Sequence, residues 1–294
     1  MTNYTKRYIE LFEARNEPVV IENNCIYKAY QRIAVPVGPA AQDFSLTHDS
    51  AKLIMQKLKT PIVRCTSGFN DIITQGWYAV ICNTYRSIES LKSKDRNAIN
   101  RGLKNCIVQK KDAEFLSDFG HEVYVATHKN YTRSSLFNID KESYKQNILV
   151  SKNFEDIHHH WCVFNQEKKL IGYCQVYVYD KTEANFSVVK LHPEFNHLYT
   201  SYALFHTMLE YYLNTMKFQY VNGGYRSIKH DTNFQDYLIR KFAFEKKHIG
   251  MQLYYNPMLK AAINIALPFR KLVSVFTPKY DSLLQQEYIR RHQK

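Results

Sequence analysis

Residues 161–244 read WCVFNQEKKLIGYCQVYVYDKTEANFSVVKLHPEFNHLYTSYALFHTMLEYYLNTMKFQYVNGGYRSIKHDTNFQDYLIRKFAF. Along this stretch the spacing of apolar residues switches between two and three-to-four, and the switches set the fold. Residues 161–164 and 170–179 are apolar runs around the polar 165–169, a turn of hairpin length. Residues 184–191 make a third strand, broken by His192-Pro193-Glu194-Phe195-Asn196. A helix is predicted over 201–216, with Thr200 as N-cap and Phe205, Met208, Leu209, Tyr212, Leu213 and Met216 on one face. A short buried strand, 218–222, ends at Gly223-Gly224, and a helix over 233–242 precedes a last strand, 247–255.

Upstream, the pattern predicts a strand at 106–110 and helices at 113–130 and 144–150. Residues 88–105 read as a basic helix linking two halves. Between Lys92 and Lys111 stand seven basic residues and one acidic residue, Asp95. The first half begins with two expected strands in 18–39, then a helix over 46–59 stopped by Pro61, then strands at 62–66 and 77–82. The expected organisation is therefore an N-terminal α/β half (1–87), a linker helix (88–105), a second domain (106–256) and a basic helical tail (257–294). The tail's apolar stretch 258–267 spans about ten residues, short of the roughly 18 needed to cross a bilayer. It fits a packed terminal helix or an interfacial one in peripheral contact with an acidic membrane surface.

With 45% hydrophobic residues in 294, and only 9 Gly and 8 Pro, the chain has material for large cores and short connections. The six cysteines form no CxxC pair and lie mostly in apolar runs, as buried thiols in a reducing compartment would. The charged start MTNYTKRYIELFEARNE lacks the apolar core of a signal peptide, and no stretch reaches membrane-spanning length. A cytoplasmic protein is expected, working at the inner face of the membrane if the tail engages lipid. A net charge of +13 points to an anionic partner: phosphates, nucleic acid or acidic lipid.

The order strand, two helices, three antiparallel strands, helix, strand, helix, strand over 106–256 is similar to that of the GNAT superfamily. Within it the chain most resembles the FemAB-like branch, whose members commonly duplicate the fold. Three local matches carry the resemblance. Ser93-Lys-Asp-Arg96-Asn-Ala-Ile99-Asn-Arg101-Gly-Leu-Lys104 resembles the Arg-rich segment joining the halves. Ser201-Tyr-Ala-Leu-Phe, followed later by Tyr220-Val-Asn-Gly223-Gly224-Tyr225-Arg226, resembles a small-residue helix start and a strand ending in a Gly-Arg pair. Tyr237-Leu-Ile-Arg-Lys241-Phe-Ala-Phe244 is similar to the closing signature.

The resemblance implies an α+β protein with a mixed sheet, a GNAT-like acyltransferase fold and a degenerate GNAT-like N-terminal half. It implies an N-acyltransferase, of the same broad class as the N-acetyltransferases. The donor would be acyl-CoA or aminoacyl-tRNA, with no metal, and the acceptor an amine on a small molecule or on a cell-envelope or polysaccharide precursor. Two departures stand out. Residues 192–201 contain no glycine, whereas a pyrophosphate at a helix N-terminus needs close backbone approach. The tyrosine that commonly protonates the leaving thiolate would align with Ile239. These departures keep open a second reading, a non-catalytic module that binds an anionic ligand or nucleic acid.

Amine attack on an acyl carbon requires a neutral amine, support for the oxyanion and a proton for the leaving group. The fold would supply the oxyanion donors from backbone N–H groups around 187–190. Candidate catalytic side chains at the strand ends are His192, Glu194, Tyr225 and His230, each with a surface or packing role as its alternative. Candidate donor- or substrate-binding residues are Tyr199, Thr200, Ser201, Gly223, Gly224 and Lys241, with Arg226 placed to grip a phosphate or carboxylate. Arg96, Arg101 and Lys104 are candidates for RNA or a phosphorylated acceptor, or a solvated linker face. His158-His159-His160 does not read as a zinc site, because neighbours in a strand point to opposite faces.

Overall fold

The computed structural model describes residues 3–128, 139–228, 233–276 and 278–294. The chain forms two units whose segments interleave: Met1–Val80, Tyr225–Asp236 and Glu245–Lys294 make the first, Ile81–Gly224 and Tyr237–Phe244 the second.

The first unit starts with α1 (Asn3–Ala14) and three antiparallel strands, β1 (Val19–Glu22), β2 (Cys25–Tyr30) and β3 (Ile33–Val37). Three strands stand where two were expected, because two-residue turns join them. Asn23-Asn24 and Gln31-Arg32 all have positive φ, the geometry of tight hairpin turns. Asparagine is an ordinary signal for that geometry; Gln-Arg is not. Helix α2 (His48–Leu58) is capped by Thr47, whose hydroxyl accepts from the Ser50 amide, and ends at Lys59 in the left-handed conformation. It leads to β4 (Ile62–Phe69), parallel to β3. Ile54, Ala51 and Leu58 of α2 pack on Tyr27, Ala34, Val63 and Cys65 of the sheet.

The chain passes between units within β5 (Tyr78–Cys82). The second unit opens with a short 3-10 turn, Ile88–Ser90, and the basic helix α3 (Ser93–Asn105). There follow β6 (Cys106–Lys111), α4 (Ala113–His128) and α5 (Lys141–Leu149), the last capped by the Asp140 carboxylate. Strands β7 (His158–Asn165), β8 (Leu170–Tyr179) and β9 (Glu183–Leu191) form an antiparallel meander beside β6. Helix α6 (Thr200–Leu209) crosses over, through a π-helical turn at Glu210–Thr215, to β10 (Tyr220–Tyr225), parallel to β9. The sheet order is β10-β9-β8-β7-β6. Leu116, Val123, Tyr144 and Ile148 cover one face, against Cys162, Phe164 and Tyr173.

The last strand, β11 (Glu245–Tyr255), follows α7 (Phe234–Phe242) and pairs antiparallel with β4, from Tyr255↔Ile62 to Ile249↔Phe69. This pairing places residues 245–255 in the first unit, although in sequence they follow the second half directly. The tail folds as α8 (Pro257–Ala266), α9 (Arg270–Phe276) and α10 (Pro278–Arg291). Ile263, Leu267 and Leu284 form its core with Tyr255. Among the described residues no helix is long and apolar enough to cross a membrane.

Candidate active site

The second unit's parallel pair is short. β10 pairs with β9 only through Tyr220↔Glu183, Val221↔Ala184 and Asn222↔Asn185. Beyond that point the recorded pairing stops, and β9 continues for six residues bonded on its β8 side. A bulge falls just past the vertex. Gln175 faces Val188 and Val176 faces Phe186, so Ser187 is the extra residue. A bulge bends the strand and leaves backbone groups out of the ladder, here at the edge where the strands part. The Ser187 hydroxyl donates to the Gln175 carbonyl at 2.9 Å, fixing the bulge from the solvent side.

At the vertex sits a polar group that sequence reasoning missed. Glu183 is fully buried. Its Oε1 accepts from Asn185 Nδ2 at 2.9 Å and from Asn222 Nδ2 at 3.0 Å. Asn222 is itself fully buried, and its Oδ1 accepts from the Gly224 amide at 2.8 Å. Gly224 has φ +106°, a conformation L side chains rarely adopt, so glycine is required there. A buried carboxylate held by two amides keeps its lone pairs aimed and its position fixed. The available signal was a Glu opening an apolar strand and an Asn inside VNGG.

Farther along β9, Lys190 Nζ lies 2.8 Å from His128 Nε2 at the end of α4 and over the Tyr124 ring at 5.4 Å. Burial lowers the Lys190 ammonium to about 8. The His128 imidazole is lowered too, first by burial and then by the adjacent lysine charge. On the opposite face of the sheet Phe186 stacks on Phe205 at 5.7 Å and approaches Phe244 at 6.4 Å. Tyr202, Tyr237 and Phe242 extend this aromatic group along α6 and α7.

The entrance of α6 differs from expectation. Its N-cap is Tyr199, left-handed at φ 60°, with no side-chain cap bond. Thr200 instead turns inward, its hydroxyl donating to the Phe195 carbonyl. Ser201 Oγ and Tyr237 Oη are 2.7 Å apart. Burial pushes the Tyr237 phenol well above its ordinary value, so it stays protonated. Helix α3 presses against this entrance at Gly102, where an added Cβ would lie 2.8 Å from the Tyr199 carbonyl and 3.0 Å from the Ala203 amide. Arg101 lies over the Tyr199 ring and donates to its hydroxyl at 3.3 Å.

The structure thus gathers Tyr199, Thr200, Ser201 and Arg101 at one helix end. Lys241 pairs with Asp95 at 2.8 Å, joining α7 to the helix that carries Arg96. Gly223 is buried at the vertex, beside Gly224. His192 is buried, edge-on to Phe195, and its Nδ1 has no hydrogen-bond partner among the described residues. Glu194 is exposed, its carbonyl 2.8 Å from His197 Nδ1. Lys104 is exposed, its carbonyl accepting from Gln166. Tyr225 and Arg226 belong to the first unit, where Tyr225 stacks on Trp77. Arg226 donates to the Gly76 carbonyl at 2.6 Å and lies over Tyr78, a structural engagement of the guanidinium. His230 lies outside the described residues.

The histidine triplet divides between faces. His160 Nε2 meets Ser151 Oγ at 3.0 Å and His158 stacks on Tyr177, while His159 Nδ1 meets Tyr212 Oη at 2.8 Å on the other side. Burial, reinforced by the Lys110 charge, depresses His159 to about 3, so it is a neutral hydrogen-bonding core residue at neutral pH. Among the described residues no group of His, Cys, Asp and Glu is arranged to hold a metal ion.

Comparison with solved structures gives the fold its name. FemX superposes with a TM-score of 0.58 at 10% identity, covering 87% of this chain and 92% of its own. The C-terminal domain of a putative lysylphosphatidylglycerol synthetase from Agrobacterium fabrum gives 0.55 at 10% identity, covering 89% and 92%. A conserved protein of unknown function from Bacteroides thetaiotaomicron gives 0.52, again at 10%, covering 83% and 87%. The fold is of the FemX kind. No protein-family model and no curated protein matches the sequence.

Proposed function

We propose that the chain is an N-acyltransferase that moves an acyl or aminoacyl group onto an amine of a cell-envelope or polysaccharide precursor. The observation that carries this reading is the parting of β9 and β10 after three residue pairs, with the Ser187 bulge on the open edge. Such a gap admits an activated acyl group edgewise, and unpaired amides beside it are oriented donors for a developing oxyanion. In this reading Glu183, held by Asn185 and Asn222, takes the proton of the attacking amine. Tyr237, kept protonated by burial and hydrogen-bonded to Ser201, supplies the proton to the leaving group. The amine nitrogen bonds to the acyl carbon, and the ester or thioester bond to the donor breaks.

Aminoacyl-tRNA is the preferred donor, ahead of acyl-CoA. Residues 192–201 carry no glycine, and α3 approaches so closely at Gly102 that a pyrophosphate at the α6 N-terminus would have to displace it. The net charge of +13 suits a polyanionic donor. All six cysteines are free thiols, consistent with work in the cytoplasm.

One observation favours the non-catalytic module: the aromatic group of Phe186, Phe205 and Phe244 lines the parting strands on one face. The deciding experiment offers charged tRNAs and acyl-CoAs with a panel of amine acceptors and follows the acceptors by mass spectrometry. Acceptor modification that Glu183→Gln removes supports the transferase. Salt-sensitive tRNA binding with no donor consumed assigns the module instead.

A further inference from the structure

We propose that the outer face of α8 and α9 seats the protein on an anionic lipid surface, as an interfacial contact that does not cross the bilayer. This inference stands on the first unit alone and does not depend on the transferase reading. Helix α8 is apolar on two sides. One side, with Leu259, Ile263, Ala266 and Leu267, packs on Tyr255 and on Leu284 of α10. The other leaves Met258 at 85% and Ile265 at 73% exposure, and past the 3-10 turn Leu267–Phe269 that joins α8 to α9, Phe269 and Leu272 are each 59% exposed. Met258 and Ile265 lie two turns apart on one face of α8, Phe269 closes the 3-10 turn and Leu272 stands on the first turn of α9. Large apolar side chains exposed together in this way mark an interaction surface.

Charge identifies the partner. From Pro257 to Tyr280 the sequence contains Lys260, Arg270, Lys271 and Lys279 and no Asp or Glu. Arg270 is stacked on Tyr288 at 3.7 Å, which holds it at the root of α9, while Lys260 and Lys271 are exposed beside this surface. Apolar side chains flanked by bases, with no carboxylate between, match the boundary between anionic headgroups and acyl chains. A second copy of the chain would instead bring two basic tails together on proteins of net charge +13 each. Helix α8 alone spans about 15 Å, and α9 continues the surface beyond the 3-10 turn, enough to lie along the interface.

The test is co-sedimentation of the full chain with phosphatidylcholine vesicles and with vesicles of phosphatidylcholine mixed with phosphatidylglycerol. Binding is expected to the mixed vesicles and not to the neutral ones. Ile265→Ser with Phe269→Ser should lower the partition coefficient roughly tenfold or more. Lys260→Gln with Lys271→Gln should lower it by about tenfold and flatten its dependence on salt. All four positions are exposed, and unchanged thermal melting of each variant shows that the fold is kept. No binding to mixed vesicles, equal binding to both kinds, or undiminished binding of the serine variant overturns the proposal. So does a concentration-dependent dimer that the serine variant dissolves, which would give the surface to a second copy.

Discussion

Each unit contains a parallel strand pair that separates almost at once, and the two pairs have different fates. In the first unit β3 and β4 share two residue pairs, Ile33↔Ile62 and Ala34↔Val63. The chain leaving β3 then folds back against β4. The Phe44 amide donates to the Thr66 carbonyl at 2.7 Å, Asp43 bridges Ser67, and Phe44 is buried in the core. In the second unit the equivalent connection coils into a 3-10 turn, Pro193–Leu198, and leaves the edge of β9 past Asn185 without that cover. The same topology is thus used twice, bridged by its own backbone in the first unit and without such a backbone bridge among the described residues of the second. The closed copy is held by its own backbone, and the parted copy is the one to which the proposed function assigns the substrate.

If that contrast is functional, the largest effect should come from the vertex of the open pair. Glu183→Gln should reduce acyl transfer by about 10²- to 10⁴-fold, measured on protein whose melting curve shows it folded. An unchanged rate would mean the open gap is not where chemistry occurs. The sealed pair should respond in stability. Gly68 sits at φ +75°, and a Cβ there would lie 2.5 Å from the Ala41 carbonyl, so Gly68→Ala should cost about 2–3 kcal/mol in urea denaturation. Little or no loss would show that the folded-back segment is only loosely seated.

A third test uses pH on the open strand. Lys190 has its ammonium lowered to about 8, so the unfolded chain holds its proton more tightly than the folded one. Stability should therefore rise with pH from about 8 towards 10.5, and the burial penalty should be fully present below 8. Lys190→Met should gain about 1 kcal/mol at pH 7, after allowing for partial solvent screening, and the gain should vanish above the ordinary lysine range. A pH-independent difference would mean that the lysine is solvated in the fold. The smallest effect is expected at the bulge. Ser187→Ala removes one hydrogen bond at the surface and should cost about 0.5–1 kcal/mol by thermal melting. A larger loss would make the bulge itself, and not the missing partner strand, the cause of the opening.

The element order of the second half was legible because its apolar residues keep clean periods, and the boundaries of β8 and β9 fall within a residue of expectation. The N-terminal meander was harder, since Gln31-Arg32 makes a tight turn with residues that do not advertise one. The site was mostly illegible. Glu183 and Asn222 are 39 residues apart, and nothing local to either reveals the hydrogen bond between them. Tyr237 meets Ser201 across a similar gap, two residues before Ile239, the position at which the closing motif aligns the tyrosine. Arg226 showed the converse. Its position after two glycines suggested a ligand grip, and in the structure one of its N–H groups donates to the Gly76 carbonyl, a contact that no local pattern announced.

The pairing of β4 with β11 also governs how the molecule is made. Its partners, such as Ile249 and Phe69, are about 180 residues apart in the chain. At ordinary ribosomal speeds β4 emerges roughly 10–40 s before the strand that will cover its edge. During that interval a run containing Ile62, Val63, Cys65 and Phe69 offers unpaired backbone groups to any neighbour. The nascent protein is therefore most vulnerable to misassociation at this edge, and chaperone occupancy during translation should concentrate there until residue 255 has left the exit tunnel.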